Sequence, residues 1–257
     1  MGANGGLWRG LLAGVVAGFA GGLFGVGGGI LLVPMLTGMF GLTQHQAHGT
    51  SLAAIGATAV AGLVVYASGG HVAWTVGAIM AVTSVLAARL GARLAARTSR
   101  ERLARAFAIF LVLVAVRMVF RTPPSAGGTA VISGVAGALA ALAVGVGTGL
   151  MAGFMGVGGG IIAVPALVLL FGLPQQTAQG TSLALILVTA PMGAIEHHRH
   201  GNVVLKLVPF LAGGALLGAP LASGLALRLP QAVLGRAFAV FLLANAVNTW
   251  FRTSRKA

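Results

Sequence analysis

The chain of 257 residues contains no cysteine and no aspartate, and its only carboxylates are Glu101 and Glu196. The first absence excludes disulfides, thiolate chemistry and cysteine-ligated metals. The second leaves no buried acid to orient a base behind a nucleophile, so a Ser-His-acid enzyme is excluded and the chain does not read as an enzyme. Charged residues are scarce at 7%. What is present instead is apolar: 58% of residues are hydrophobic and the mean hydropathy is +1.00, well outside the range of soluble domains. Apolar runs recur at 7–24, 51–66, 74–90, 105–119, 132–155 and 205–227, and several reach the roughly 20 residues needed to span hydrocarbon. The composition predicts an all-α polytopic membrane protein in contact with membrane lipids.

The net charge of +14 resembles that of a nucleic-acid binder, but its distribution does not. Arg89, Arg93, Arg97, Arg100, Arg102 and Arg105 crowd one connecting segment, and the remaining cations mark other span ends. Positive-inside orientation accounts for them, and no nucleic-acid partner is implied. Arg9 precedes an apolar run without a small-residue cleavage pattern, so 7–24 reads as a first span and not a removable leader.

"GVGGG" occurs at 25–29 and again at 156–160, an offset of 131 (156 − 25). At that offset Gly18–Ile55 aligns with Gly149–Ile186 without a gap and with more than half the positions identical. Arg105–Ala108 likewise matches Arg236–Ala239. The chain therefore divides into a first membrane repeat, 1–122, a turn-rich linker, 123–131, and a second repeat, 132–257.

Five segments per repeat, near 7–24, 28–42, 48–67, 73–92 and 103–121 in the first, gather Arg9, the six arginines of 89–105, Arg199, Lys206, Arg252, Arg255 and Lys256 on one face. The other face then receives only Arg117, Arg121, Arg228 and Arg236. Four segments per repeat would split the cations evenly, so five is preferred. An odd number turns the second repeat upside down. The expectation is about ten segments in two tandem inverted repeats, with Gly-broken discontinuous helices and both termini cytoplasmic.

Consecutive glycines weaken a helix, and backbone groups freed within lipid must be satisfied inside the protein. Such a break exposes the N–H groups and positive dipole end of the helix that follows, near Ile30 and Ile161, which is an anion-binding arrangement. Gly27, Gly28, Gly29, Gly158, Gly159 and Gly160 are accordingly candidate substrate-binding residues. Gly14, Gly18 and Gly22, with Gly145, Gly149 and Gly153, have the spacing of helix-contact ridges instead. Pro34 and Pro165 follow each break and are expected to kink the next segment or hold its first turns open.

A second shared motif is "QHQAHGTSLA" at 44–53 against "QQTAQGTSLA" at 175–184. Its hydroxyls, Thr50, Ser51, Thr181 and Ser182, are placed to cap helices or to donate to an oxyanion, together with Gln44, His48, Gln175 and Gln179. His45 and His48 face Gln176 and Gln179 across the repeat, so the shared property is hydrogen-bond donation and not titration. Gly28 and Thr50 are 22 residues apart (50 − 28), which in a straight helix would separate the glycines from the hydroxyls unless the second segment is short and tilted. The "EHHRH" run at 196–200 ends a span and reads as a polar cap ahead of a metal site, and no cofactor is expected.

Tandem halves, each with "GVGGG", a proline-containing apolar segment and a polar turn into "GTS", resemble the TauE/SafE family of sulfite and organosulfonate exporters. The resemblance implies an inner-membrane secondary transporter that exports small sulfur-containing anions such as sulfite, sulfoacetate or related sulfonates by alternating access. An anion channel and a non-transporting membrane subunit stand as alternatives, and a homo-oligomer is compatible with the sequence. An inside-negative potential favours anion export by about 2.3 kcal/mol per charge per 100 mV.

Overall fold

A computed structural model describes residues 3–95, 109, 112, 113, 115–118 and 134–254. The described residues form helices and connecting turns, with no strand among them. In the first repeat these are α1 (Ala3–Phe24), α2 (Gly29–Met39), α3 (Gln44–Ser68) and α4 (Trp74–Ala95). In the second they are α5 (Gly134–Met155), α6 (Gly160–Leu169), α7 (Gln175–Arg199), α8 (Val208–Arg228) and α9 (Gln231–Ser254). Residues 109, 112, 113 and 115–118 are helical and belong to the fifth segment of the first repeat. The arginines at 97–105, Glu101 and the linker 123–131 lie outside the described residues.

Seven of these helices are long and apolar enough to cross a bilayer, whereas α2 and α6 are short. At about 1.5 Å per residue, α2 covers roughly half of a hydrocarbon core about 30 Å thick. The second segment of each repeat is thus half-length, shorter than the span expected at 28–42, because the glycines before it cannot hold helical geometry.

The relative directions of the helices follow from their contacts. Gly14, Gly18 and Gly22 of α1 lie against the backbones of Leu211, Ala215 and Ala219 of α8, so these two run parallel. Gly145, Gly149 and Gly153 of α5 meet Met80, Ser84 and Ala88 of α4 in the same way. Both ridges are the small-residue contacts expected from spacing, where a missing Cβ lets two backbones touch. Between α3 and α8, Thr50 meets Val204 and Gly69 meets Leu227, which makes them parallel. Between α3 and α7, Tyr66 meets Gln179, Gly62 meets Leu183 and Gly49 meets His197, which makes them antiparallel.

α3 and α7 occupy equivalent places in the two repeats. A two-fold operation relates antiparallel helices only if its axis is perpendicular to them, so for spanning helices the axis lies in the membrane plane. The repeats are inverted. The same chain of contacts places the starts of α1, α3 and α8 and the ends of α4, α5 and α7 on one face, here the near face. Arg9, Arg89, Arg93, Arg199 and Lys206 are on that side, and Arg228 and Arg236 lie toward the far face. Since α1 and α3 are parallel, α2 returns from the break toward the near face.

Most inter-repeat packing is therefore exchanged, with α1 seated on α8 and α4 on α5. Phe24, the last residue of α1, also stacks on Phe241 of α9 at 4.5 Å between ring centroids. Leu86, Val64, Leu221 and Val240 remain exposed on the outside, as a lipid-facing surface requires.

Candidate substrate site

The two glycine breaks lie against each other. A Cβ added at Gly29 would come within 2.7 Å of Val157 Cα and 2.8 Å of the Gly156 carbonyl oxygen. A Cβ at Gly160 would come within 2.7 Å of both the Gly25 carbonyl oxygen and Val26 Cα. Residues 25–29 and 156–160 thus run antiparallel across the pseudo-two-fold axis, with Ile55 and Ile186 beside Gly27 and Gly158. The five repeated letters have distinct physical reasons. Gly27 and Gly28 hold φ of 74° and 81°, and Gly158 and Gly159 both hold 78°, a left-handed conformation costly for residues with a Cβ. Gly29 and Gly160 are needed for close approach, and Val26 is fully buried in the core.

Gly28 and Gly159 are the N-caps of α2 and α6, and neither helix start receives a side-chain cap. Pro34 and Pro165 lie inside these short helices, where each removes one further intrahelical hydrogen bond.

The hydroxyls expected as N-caps do not cap. α3 begins at Gln44 after N-cap Thr43, and α7 begins at Gln175 after N-cap Pro174, because the turn residues Thr43 and Pro174 stop the helices earlier than the GTS motifs suggest. The GTS hydroxyls instead sit about two turns in and face the opposite repeat. Ser51 Oγ donates to the Gly156 carbonyl at 3.0 Å, and Ser182 Oγ donates to the Gly25 carbonyl at 2.7 Å. Thr50 Oγ1 accepts from Val204 N at 3.0 Å, and Thr181 Oγ1 accepts from Ala73 N at 2.8 Å. All four side chains are fully buried. The separation expected from 22 residues of helix is bridged at the serines, since Ser51 and Ser182 each meet the glycine break of the other repeat, whereas Thr50 and Thr181 hold the connections at Val204 and Ala73.

The remaining candidates flank the breaks. The backbone of Gln179 lies against Gly25 and that of His48 against Gly156. Gln44 Nε2 is 2.9 Å from His48 Nε2. Gln175 is one turn before Gln179 and 4% exposed. No group of three or more His, Cys, Asp or Glu residues suited to a metal gathers among the described residues. In the "EHHRH" run, Glu196 pairs with Arg93 at 3.2 Å, His197 donates from Nε2 to the Gly153 carbonyl at 3.1 Å, and His200 donates from Nδ1 to the Glu196 carbonyl.

The sequence assigns neither of two further residues to this neighbourhood: Tyr66 carries no motif, and His197 reads only as part of the polar "EHHRH" run. Tyr66, fully buried, places its hydroxyl 3.0 Å from both the Gly22 carbonyl and Gln179 Oε1. His197 occupies the equivalent position at the other break. The pair is separated by the same 131 residues (197 − 66) as the motifs, but the residue types differ, so the offset alone does not mark them.

Comparison with known proteins agrees with the architecture. A sequence profile described as "Sulfite exporter TauE/SafE" matches residues 2–118 and 139–257. A probable membrane transporter protein of Xylella fastidiosa (strain 9a5c) is 32% identical over 246 residues, covering 94% of each chain. The probable membrane transporter protein YunE of Bacillus subtilis (strain 168) is 29% identical over 81% of this chain and 86% of its own. A probable membrane transporter protein of Haemophilus influenzae is 25% identical over 94% of this chain and 97% of its own. No solved structure matches. With both repeats covered by the profile and spanning helices in the corresponding places, the chain belongs to the TauE/SafE family of membrane transporters.

Proposed function

We propose that this transporter carries small sulfur-containing anions, such as sulfite, sulfoacetate or related organosulfonates, out across the inner membrane by alternating access. The observation that carries the reading is the crossing of two inverted glycine breaks, each followed by a helix start without a side-chain cap. Backbone N–H groups at such starts favour an anion, and inverted repeats let an inward-open state become outward-open when the two halves exchange conformations. The proposed path is lined by Gly27, Gly28, Gly29, Gly158, Gly159 and Gly160. Gln44, His48, Thr50 and Ser51 flank it on the near side, with Gln175, Gln179, Thr181 and Ser182 toward the far face. The cation-richer near face is assigned to the cytoplasm, which places both termini there.

The test is flux of labelled sulfite and sulfoacetate in proteoliposomes, for wild type and a Ser51→Ala, Ser182→Ala variant that loses the tie from each GTS motif to the opposite break. Saturable flux stimulated by unlabelled anion on the opposite side, and reduced in the variant, is expected. Flux without such stimulation would mark a channel, and no flux for any sulfur oxyanion would overturn the substrate assignment.

A further inference from the structure

The two repeats differ at the corners where α3 and α7 begin. At the near corner the start of α3 is closed by a reciprocal cap: Thr43 Oγ1 accepts from Gln46 N at 3.3 Å, and Gln46 Oε1 accepts from Thr43 N at 3.2 Å. At the far corner Pro174 takes the equivalent place and supplies no side-chain acceptor, so the first turn of α7 has no such closure. Beside it, Gln175 and Gln179 lie one turn apart on one side of α7, 4% and 0% exposed, and the Nε2 group of each lacks a partner. A buried amide donor left unpaired costs roughly 1–3 kcal/mol, and two on one helical turn call for an acceptor that belongs there.

Gln179 has a built-in alternative. Tyr66 has one proton for two acceptors, Gly22 O and Gln179 Oε1, both at 3.0 Å. When Tyr66 donates to Gly22, a reversed Gln179 amide can donate to Tyr66. When Tyr66 donates to Gln179 Oε1, both hydrogens of Nε2 are released for a ligand.

We infer that the first turn of α7, with Gln175 Nε2 and Gln179 Nε2, is an oxyanion site at the far end of the protein, selective for monoanions that carry a hydrogen-bond donor of their own. All the side-chain ligands are neutral. Desolvation cost grows with the square of charge, so a dianion loses more here than amides return. The same corner also holds two unpartnered acceptors, Gln176 Oε1 and Gln231 Oε1. Gln176 is turned by its Nε2, which donates to the Leu229 carbonyl at 3.1 Å. A ligand with a hydroxyl satisfies these acceptors, and a bare sulfonate does not. This site rests on the proposed path, to which Gln175 and Gln179 belong, and refines its ligand class; the binding test itself does not require that the protein transport anything.

The experiment is calorimetric titration of the purified full chain in detergent with 2-hydroxyethanesulfonate, methanesulfonate and sulfate. Saturable binding is expected in that order of decreasing affinity. Gln175→Leu and Gln179→Leu are each expected to weaken 2-hydroxyethanesulfonate binding roughly tenfold to a hundredfold, the effect of losing a hydrogen bond to a charged group. Should either leucine variant fail to fold, Gln175→Asn withdraws the amide by one methylene and is expected to weaken binding in the same direction. Unchanged affinity in the folded variants, sulfate binding as tightly as the hydroxysulfonate, or no saturable heat in the wild type would overturn the assignment. Binding without flux would refute the transport reading and leave this one standing; flux without binding sensitive to these glutamines would do the reverse.

Discussion

Gly28→Ala and Gly159→Ala should be far more destabilising than the addition of one methyl group suggests. Gly28 holds a φ of 81°, where a residue with a Cβ pays roughly 1–2 kcal/mol. The new Cβ would also press on the Ala17 carbonyl, 2.7 Å from its carbon, and this atom belongs to the backbone of α1 and cannot rotate away. Overpacking of that kind costs roughly 1–3 kcal/mol. The loss of glycine freedom in the unfolded chain returns only about 0.4–1 kcal/mol. The net expectation is about 2–4 kcal/mol for each variant, and Gly159 meets Thr148 in the equivalent way. Gly56 and Gly147 provide the comparison, since both are helical and a Cβ at either meets nothing within 4 Å. Alanine there should be neutral or stabilising by up to about 1 kcal/mol. Thermal unfolding in detergent, at roughly 2–4 °C per kcal/mol for a chain of this size, separates the two classes by about 5–15 °C. Gly28→Ala melting with Gly56→Ala would refute the left-handed, backbone-packed geometry of the break.

Thr50→Val removes the acceptor of the Val204 N–H and should cost roughly 1–3 kcal/mol in the same melting assay, whereas Thr50→Ser should restore most of it. Glu196→Gln should cost under about 1 kcal/mol, because Arg93 is 62% exposed and rehydrates when the ion pair is lost; a larger loss measured by thermal unfolding would show a role beyond the surface pair. The absence of native cysteine allows single introduced cysteines to report topology: Arg9→Cys and Lys206→Cys should react with an impermeant maleimide from one side, and Arg228→Cys and Arg236→Cys from the other. Labelling of Lys206→Cys and Arg228→Cys from the same side would break the assigned direction of α8.

Much of this arrangement is legible in the sequence because its cause is local. Hydropathy marks the spans, and spacing of four identifies the Gly14, Gly18 and Gly22 ridge, since helix contacts repeat with the helix. Inversion can be reached from the cations, since orientation depends on where charge can cross a membrane. The role of the GTS motifs cannot be read in this way. Ser51 reaches Gly156 and Ser182 reaches Gly25, partners far along the chain, and no local pattern distinguishes a hydroxyl that caps its own helix from one that ties another repeat. The pairing of Tyr66 with Gln179 was hidden for a related reason: the equivalent positions hold His197 and His48, so identity at the repeat offset does not reveal them.

The positions that match and those that differ do different work. Contacts made by backbone, such as Gly25 against Gln179 and Gly156 against His48, allow no Cβ, and both copies are glycine because the crossing fails if either side thickens. Contacts made to backbone by a side chain require only a donor. Tyr66 donates to Gly22 and His197 donates to Gly153, two different groups meeting the same need. Divergence is therefore free where the acceptor is a carbonyl and forbidden where two main chains touch. The consequence is a symmetric frame with unlike ends, amides and a phenol at the far break against histidines and the Glu196–Arg93 pair toward the near face. For the proposed anion, a fully symmetric frame would offer equal binding from either side. Here the chemistry that could give transport a direction resides in the side chains the repeats do not share.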